Sequence, residues 1–327
     1  MRRFTRALRW LLFAGALSVP AALGATDEPA MLVVVGVPGE PDYATNFLQQ
    51  ATLWREAAET ARVAFQTVGW GPTEEADDRD RVRAWLTAQS PTGPAPLWIV
   101  LIGHGTFDGK EARFNLRGPD LTASEFAEWL TPVSRPMVFL NTASASAPFM
   151  ARLTGSARVI VTATRSGYEQ NYARFGEHLA RTIADPAADL DKDGQTSVLE
   201  AFLSAAARVA EFYQSEGRLA TEHALIDDNG DGLGTAADWF RGVRAIKQAT
   251  EGAAVDGDRA HQIHLILSPA ELALPPETRA RRDALELDVL RLRDRKASVP
   301  EADYYRELER LLLELARVYE KPSSAVQ

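Results

Sequence analysis

Short apolar runs alternate with longer amphipathic stretches through the first half of this chain. Residues 31–37, Leu97–Ile102, residues 136–140 and Arg158–Thr162 are rich in Val, Ile and Leu and show little polar alternation. Uninterrupted runs of this length predict strands buried on both faces. Between them the apolar period changes to that of a helix. Phe47, Ala51, Trp54, Ala58, Ala61 and Phe65 fall on one helical face. A second helix is predicted over residues 79–88. A third opens with the capping-box pair Thr122 and Glu125, ahead of Phe126, Trp129 and Leu130. Pro91, Pro94 and Pro96, with Gly93, mark a loop before the second strand. Strand and helix in alternation predict an α/β fold, a parallel sheet with helices on both faces. In such a sheet, ligands bind at the carboxyl ends of the strands.

The second half reads differently. From Phe175 to about Gly242 the chain turns helical and carries two acidic loops. Residues 262–267 predict one more strand. Residues 279–297 and Glu301–Tyr319 predict two charged amphipathic helices, with Pro300 in the turn between them. Tyr305, Leu308, Leu312 and Leu315 form the apolar stripe of the last. A helical hairpin packed on the body accounts for this tail; a partner-binding coiled coil is the alternative. The implied organisation is a signal segment (1–25), an α/β domain (26–268) containing the acidic segment (176–242), and the hairpin (269–327).

The N-terminus supports the first of these. Arg2, Arg3, Arg6 and Arg9 precede the apolar run 10–22, and Ala21, Ala22, Gly24 and Ala25 follow. This is the layout of a secretory signal peptide, so the chain is expected to be exported, to a periplasm or medium. The run is short for a transmembrane span, and no other segment resembles one. There are no cysteines among the 327 residues. Disulfides, thiolate metal sites and a cysteine nucleophile are therefore excluded. The hydrophobic fraction of 46% allows a sizeable core, and the net charge of −9 argues against nucleic acid as a partner.

The sharpest chemical signal is Asp189-Leu190-Asp191-Lys192-Asp193-Gly194-Gln195-Thr196-Ser197-Val198-Leu199-Glu200. It fits the twelve-residue calcium-loop pattern. Asp189, Asp191 and Asp193 supply carboxylates at alternate positions and Gly194 the sharp turn. Gln195 offers its carbonyl, Ser197 the ninth position, and Glu200 a bidentate carboxylate. Residues 175–184 and 197–211 predict the flanking helices of an EF-hand. Thr196 departs from the larger aliphatic residue that usually pairs such loops. A second candidate places Asp227, Asn229, Asp231 and the carbonyl of Leu233 similarly, ending on Asp238, whose shorter side chain reaches less far. Its separation from the first suits paired hands. Asp, Asn and Gly also favour solvated turns on their own account. The expected cofactor is calcium, in a structural role.

Two strand ends carry further chemistry. Leu97–Ile102 runs into Gly103-His104-Gly105-Thr106, and the strand at 136–140 runs into Asn141-Thr142-Ala143-Ser144-Ala145-Ser146-Ala147. A histidine there can serve as general base, Gly105 would let a substrate carbonyl approach the backbone, and Ser144 could be a nucleophile. The remaining histidines, His178, His223, His261 and His264, show no metal-ligand spacing and read as structural.

His-Gly at one strand end and a nucleophile at the next resembles the caspase-like and legumain-type cysteine peptidases, over about residues 31–185. Residues 142–147 align with the legumain-type motif, with Ser144 in the cysteine position and Ala147 in place of its glycine. Thr162-Ala163-Thr164-Arg165-Ser166-Gly167 and Glu169 resemble the loop after the following strand. The resemblance implies a caspase-like sheet and a peptidase site at His104, Gly105 and Ser144. Serine in place of cysteine implies that the site is altered. Three readings compete: a degenerate peptidase fold that binds a protein or peptide partner, a serine-dependent hydrolase using Ser144 and His104, and a structural role for both residues. Oligomeric state is not legible.

Overall fold

A computed structural model describes residues 28–71, 77–250 and 254–319; the segment expected to be a signal peptide (1–25) lies outside them. Strand β1 (Ala30–Val35) leads into α1 (Pro41–Ala61), and β2 (Ala64–Val68) follows at once. Phe65 shares the helical spacing of Trp54 and Ala58 but belongs to β2. Arg62, in a left-handed conformation (φ 57°), closes α1 by donating its N–H to Ala58 and Glu59 carbonyls. Helix α2 (Asp78–Ala88) precedes β3 (Leu97–Ile102). A small antiparallel sheet of β4 (Gly105–Phe107), β5 (Ala112–Phe114) and β6 (Leu121–Thr122) comes next. Both hydrogen bonds of the expected capping box open α3 (Ala123–Leu130). Then come β7 (Met137–Asn141), α4 (Ala147–Leu153), β8 (Arg158–Thr162), α5 (Phe175–Thr182) and α6 (Val198–Ser215). Strands β9 (Leu225–Asp227) and β10 (Thr235–Ala236) complete a seven-stranded sheet in the order β2-β1-β3-β7-β8-β9-β10. Its first five strands are parallel, and β9 and β10 each run antiparallel to the preceding neighbour.

The unbroken apolar runs have the cause assigned to them. Every residue of β1, β3 and β7 is buried. Because side chains alternate between faces, each run feeds two cores. Met31, Val33, Val35, Trp98, Val100 and Ile102 pack toward α1, α5 and α6. Leu32, Val34, Leu97, Ile99, Leu101 and Phe139 pack toward α2, α3 and α4. Helices thus cover both faces of a mixed α/β sheet.

The second half departs from expectation in two places. The second acidic loop lies inside the β9–β10 hairpin and not between helices. Residues 262–267 form no strand. A short hairpin of β11 (Phe240–Arg241) and β12 (Arg244–Ala245) is followed by helix α7 (Asp258–Gln262), and a single antiparallel bridge joins His264 to Ser197. Helix α8 (Pro269–Ala273) leads to α9 (Pro276–Asp294) and α10 (Glu301–Tyr319). The last two form the expected hairpin around their own apolar cluster of Leu285, Leu292, Tyr304 and Leu311. Arg282 of α9 pairs with Glu271 and Asp283, and Gln262 donates to the Asp283 carbonyl, which ties the hairpin to α7 and α8. Among the described residues, no helix is long and apolar enough to cross a membrane.

Candidate functional site

Two places carry the chemistry singled out above: the carboxyl ends of β3 and β7, and the acidic loop between α5 and α6.

At the sheet, His104 and Ser144 lie on neighbouring strand ends, but each is engaged elsewhere. The Ser144 hydroxyl donates to the Gly105 carbonyl (3.1 Å) and accepts the Gly105 N–H (3.0 Å). His104 Nε2 bonds the Pro38 carbonyl at 3.2 Å. A carbonyl can only accept, so this nitrogen holds the proton. The ring packs edge-on against Tyr43 (centroids 4.8 Å apart) and Phe47 (5.3 Å). Burial lowers the His104 pKa below its ordinary value, and the bond to Pro38 opposes that. Among the described residues, no carboxylate bonds the imidazole. Asp108, the nearest acid in sequence, pairs with Arg113 at 2.8 Å and accepts the Lys110 and Glu111 N–H groups, which hold its carboxyl far below the usual range.

Ser144 is 2% exposed, and the whole turn from Thr142 to Ser146 is buried. Ala145 adopts a left-handed conformation (φ 53°), and its N–H bonds the Glu169 carbonyl. Gly105 is glycine for a different reason than the one expected of it. A Cβ there would stand 2.3 Å from the Ser144 carbonyl oxygen, so the space a substrate would use is filled by the neighbouring turn. One pair here escaped the sequence reading. His223, which reads as structural from its position alone, places Nδ1 2.5 Å from Glu169 Oε1. Its partner is 54 residues away, and no local pattern signals such a pair.

The acidic loop lies between two helices. Helix α5 enters and α6 leaves, with Ser197 and Glu200 forming a capping box at the start of α6. Gly194 is left-handed (φ 91°), as is Lys192 (φ 65°). One carboxylate oxygen from each of Asp189, Asp191 and Asp193 lies within 4.8 Å of the others. Asp189 accepts the Lys192 and Gly194 N–H groups, Asp191 that of Asp193, and Asp193 that of Gln195. Glu200 accepts from Leu190 N–H (2.7 Å), Asp191 N–H (3.2 Å), Ser197 N–H (2.9 Å) and the Ser197 hydroxyl (2.7 Å).

Asp189 and Glu200 are 7% and 1% exposed. Among the described residues neither carboxylate has a lysine or arginine partner; Lys192 Nζ reaches only the Asp189 backbone carbonyl. Hydrogen bonds offset part of the cost of burying these two charges, and a metal ion would supply the cationic partner that no side chain provides. The donor set of carboxylates, backbone carbonyl and hydroxyl is oxygen throughout, as calcium requires. Gln195 directs its side-chain carbonyl away from the loop, to the Ser268 N–H. That leaves its backbone oxygen for the seventh position.

The second loop repeats this turn, with Asn229 in place of the middle carboxylate, but a strand leads into it. Asp227 is buried, but its oxygens accept from the Thr154 hydroxyl (2.6 Å) and from the Gly230 and Gly232 N–H groups. Asn229 and Asp231 close the turn on themselves: Asn229 accepts the Asp231 N–H and Asp231 that of Leu233. Asp238 is exposed beyond β10. No three of the loop's acidic side chains come within 4.8 Å of one another. Strand β9 leads into this loop, β10 pairs back across it, and a 3-10 turn at Ala237–Trp239 carries Asp238. The adjacent acids have structural work of their own. Asp228 accepts the Gly257 and Ala260 N–H groups at the start of α7. Asp256 accepts the Asp228 and Asn229 N–H groups and the Thr235 hydroxyl. Burial, aided by the Asp228 charge, pushes the Asp256 carboxyl up to about 8.

No family model matches this chain, and no curated protein matches it. Among solved structures, it is similar to caspase-1 from Spodoptera frugiperda, with a TM-score of 0.41 and 10% identity, over 68% of this chain and 94% of that one. It is also similar to the Drosophila initiator caspase Dronc, with a TM-score of 0.40 and 11% identity, over 63% of this chain and 81% of that one. Likeness at this level leaves the function of this chain to its own residues.

Proposed function

We propose that this chain is an exported calcium-binding protein whose caspase- or legumain-like α/β domain no longer catalyses and instead binds a protein or peptide partner. The observation that carries the calcium reading is the convergence of Asp189, Asp191 and Asp193 around a loop whose buried acids, Asp189 and Glu200, lack lysine or arginine partners. Export is supported by the arginine-flanked apolar run at the N-terminus. Loss of catalysis is supported by the engagement of Ser144 with Gly105 and of His104 with Pro38. A serine hydrolase would need the Ser144 hydroxyl free to pass its proton to His104, and nothing at the strand ends favours that alternative.

Calcium bound at the loop would brace the junction of α5 and α6 with α7. A ligand that binds only the folded state raises its stability by about 2.7 kcal/mol at a hundredfold excess over Kd. The test is a thermal melt of chelator-stripped protein with and without calcium. A rise in Tm that saturates with calcium is the expected result; an unchanged Tm overturns the calcium reading. Retention of a partner from the exported fraction, compared with and without calcium, tests the binding role.

A further inference from the structure

The acidic loop has a neighbour that its own twelve residues do not supply. Helix α7, far along the chain, places His261 Nε2 2.9 Å from Asp191 Oδ2. Ligand atoms of Asp191, Glu200 and His261 all lie within 4.8 Å of one another. The approach is held from both sides of the histidine. Asp228 accepts two N–H groups at the start of α7, at 2.8 and 2.7 Å. Just after it, the Val198 N–H bonds the Ile263 carbonyl and Ser197 bridges His264. The imidazole is therefore fixed against the exit of the loop by backbone contacts. It remains reachable: the His261 and Asp191 side chains are 32% and 30% exposed.

An imidazole nitrogen changes the ion the site suits. Calcium takes oxygen ligands almost exclusively, whereas imidazole with carboxylates suits zinc and its first-row neighbours. Ligand atoms about 2.1 Å from a tetrahedral zinc stand about 3.4 Å apart, close to the 2.9 Å between His261 and Asp191 and inside the 4.8 Å that bounds all three pairs. We propose that Asp191, Glu200 and His261 form a site for a zinc-class divalent cation, which competes with calcium for the two carboxylates they share. The inference rests on the reading of the loop as a metal site and adds a nitrogen ligand from outside it. Three protein ligands leave a fourth position for water.

The test uses the full chain stripped of metal, titrated with zinc and, separately, calcium by calorimetry, with cobalt(II) as a spectroscopic stand-in for zinc. The wild-type chain is expected to bind both ions, each displacing the other. His261→Ala should weaken zinc at least about tenfold and remove the nitrogen-ligand signature from the cobalt spectrum, with calcium affinity unchanged. An unaltered zinc affinity in His261→Ala overturns the proposal. So does an equal loss for both ions, which would mark His261 as a support for the loop and not a ligand. Calcium binding without zinc binding overturns this inference alone. Zinc binding without calcium overturns the calcium reading and leaves this one standing, and binding of neither overturns both. Asp193→Asn, which alters a loop carboxylate outside the proposed zinc set, should weaken calcium more than zinc; the reverse order counts against the assignment.

Discussion

Glu200→Gln separates what this residue does for the fold from what it does for an ion. The carboxylate is 1% exposed and accepts four hydrogen bonds, two at each oxygen. Glutamine keeps one accepting oxygen and replaces the other with a donor. Two donors, either Leu190 and Asp191 N–H or the N–H and hydroxyl of Ser197, then lose their acceptor. Each buried unsatisfied group costs about 1–3 kcal/mol. Neutralising Glu200 also relieves repulsion from Asp191 and its neighbours. At a separation near 5 Å that relief runs from about 1 kcal/mol at the dielectric of water to about 3 kcal/mol at an effective dielectric of 20. Two donors left without an acceptor cost about 2–6 kcal/mol together, so the mid-range values leave hydrogen bonding ahead by about 2 kcal/mol in the absence of metal. At about 2 °C per kcal/mol for a chain of this size, the chelator-treated variant should melt about 4 °C below wild type. With calcium the gap should widen, because the variant also forfeits the ligand's increment. Circular dichroism melts in chelator and in excess calcium read both quantities. A metal-free variant as stable as wild type, or more so, would refute the reasoning, since repulsion would then outweigh the hydrogen bonds.

Ser144→Ala should leave any acyl-transfer background unchanged and lower stability by about 1 kcal/mol through loss of the bonds to Gly105; labelling of wild type by a serine-reactive fluorophosphonate, absent in the variant, would contradict this. The Asp256 carboxyl, pushed up to about 8 from an ordinary 3.8, is protonated in the fold over a range where the unfolded chain has released its proton. Stability from this group is therefore full below about pH 4 and falls as pH rises toward 8. Asp256→Asn should flatten that part of the pH–stability profile measured by denaturant titration, and an unchanged slope would count against the burial argument.

The legibility of the chain followed the range of the interactions involved. β1, β3 and β7 were readable because burial on both faces demands an unbroken apolar run, and α3 because its capping box lies within four residues. β2 was absorbed into the preceding helical pattern, since the turn at Arg62 rests on a backbone conformation that no residue type marks. β9 and β10 were hidden in an acidic stretch whose turn chemistry is the same in a hairpin as in a metal loop.

By itself the sequence determined the alternating α/β organisation, the helical hairpin at the tail and the first acidic loop, because each is written in local spacing: period two or unbroken for strands, period 3.6 for helices, alternate carboxylates with a glycine for the loop. Only the tertiary structure decided which groups meet. It turned Ser144 onto Gly105 and His104 onto Pro38, it closed the second acidic loop as a hairpin, and it brought His261 from α7 to Asp191, 70 residues away in the chain. Hydrogen-bond partners and ligand sets depend on distances in space, and those are fixed only when the sheet and its two cores have packed.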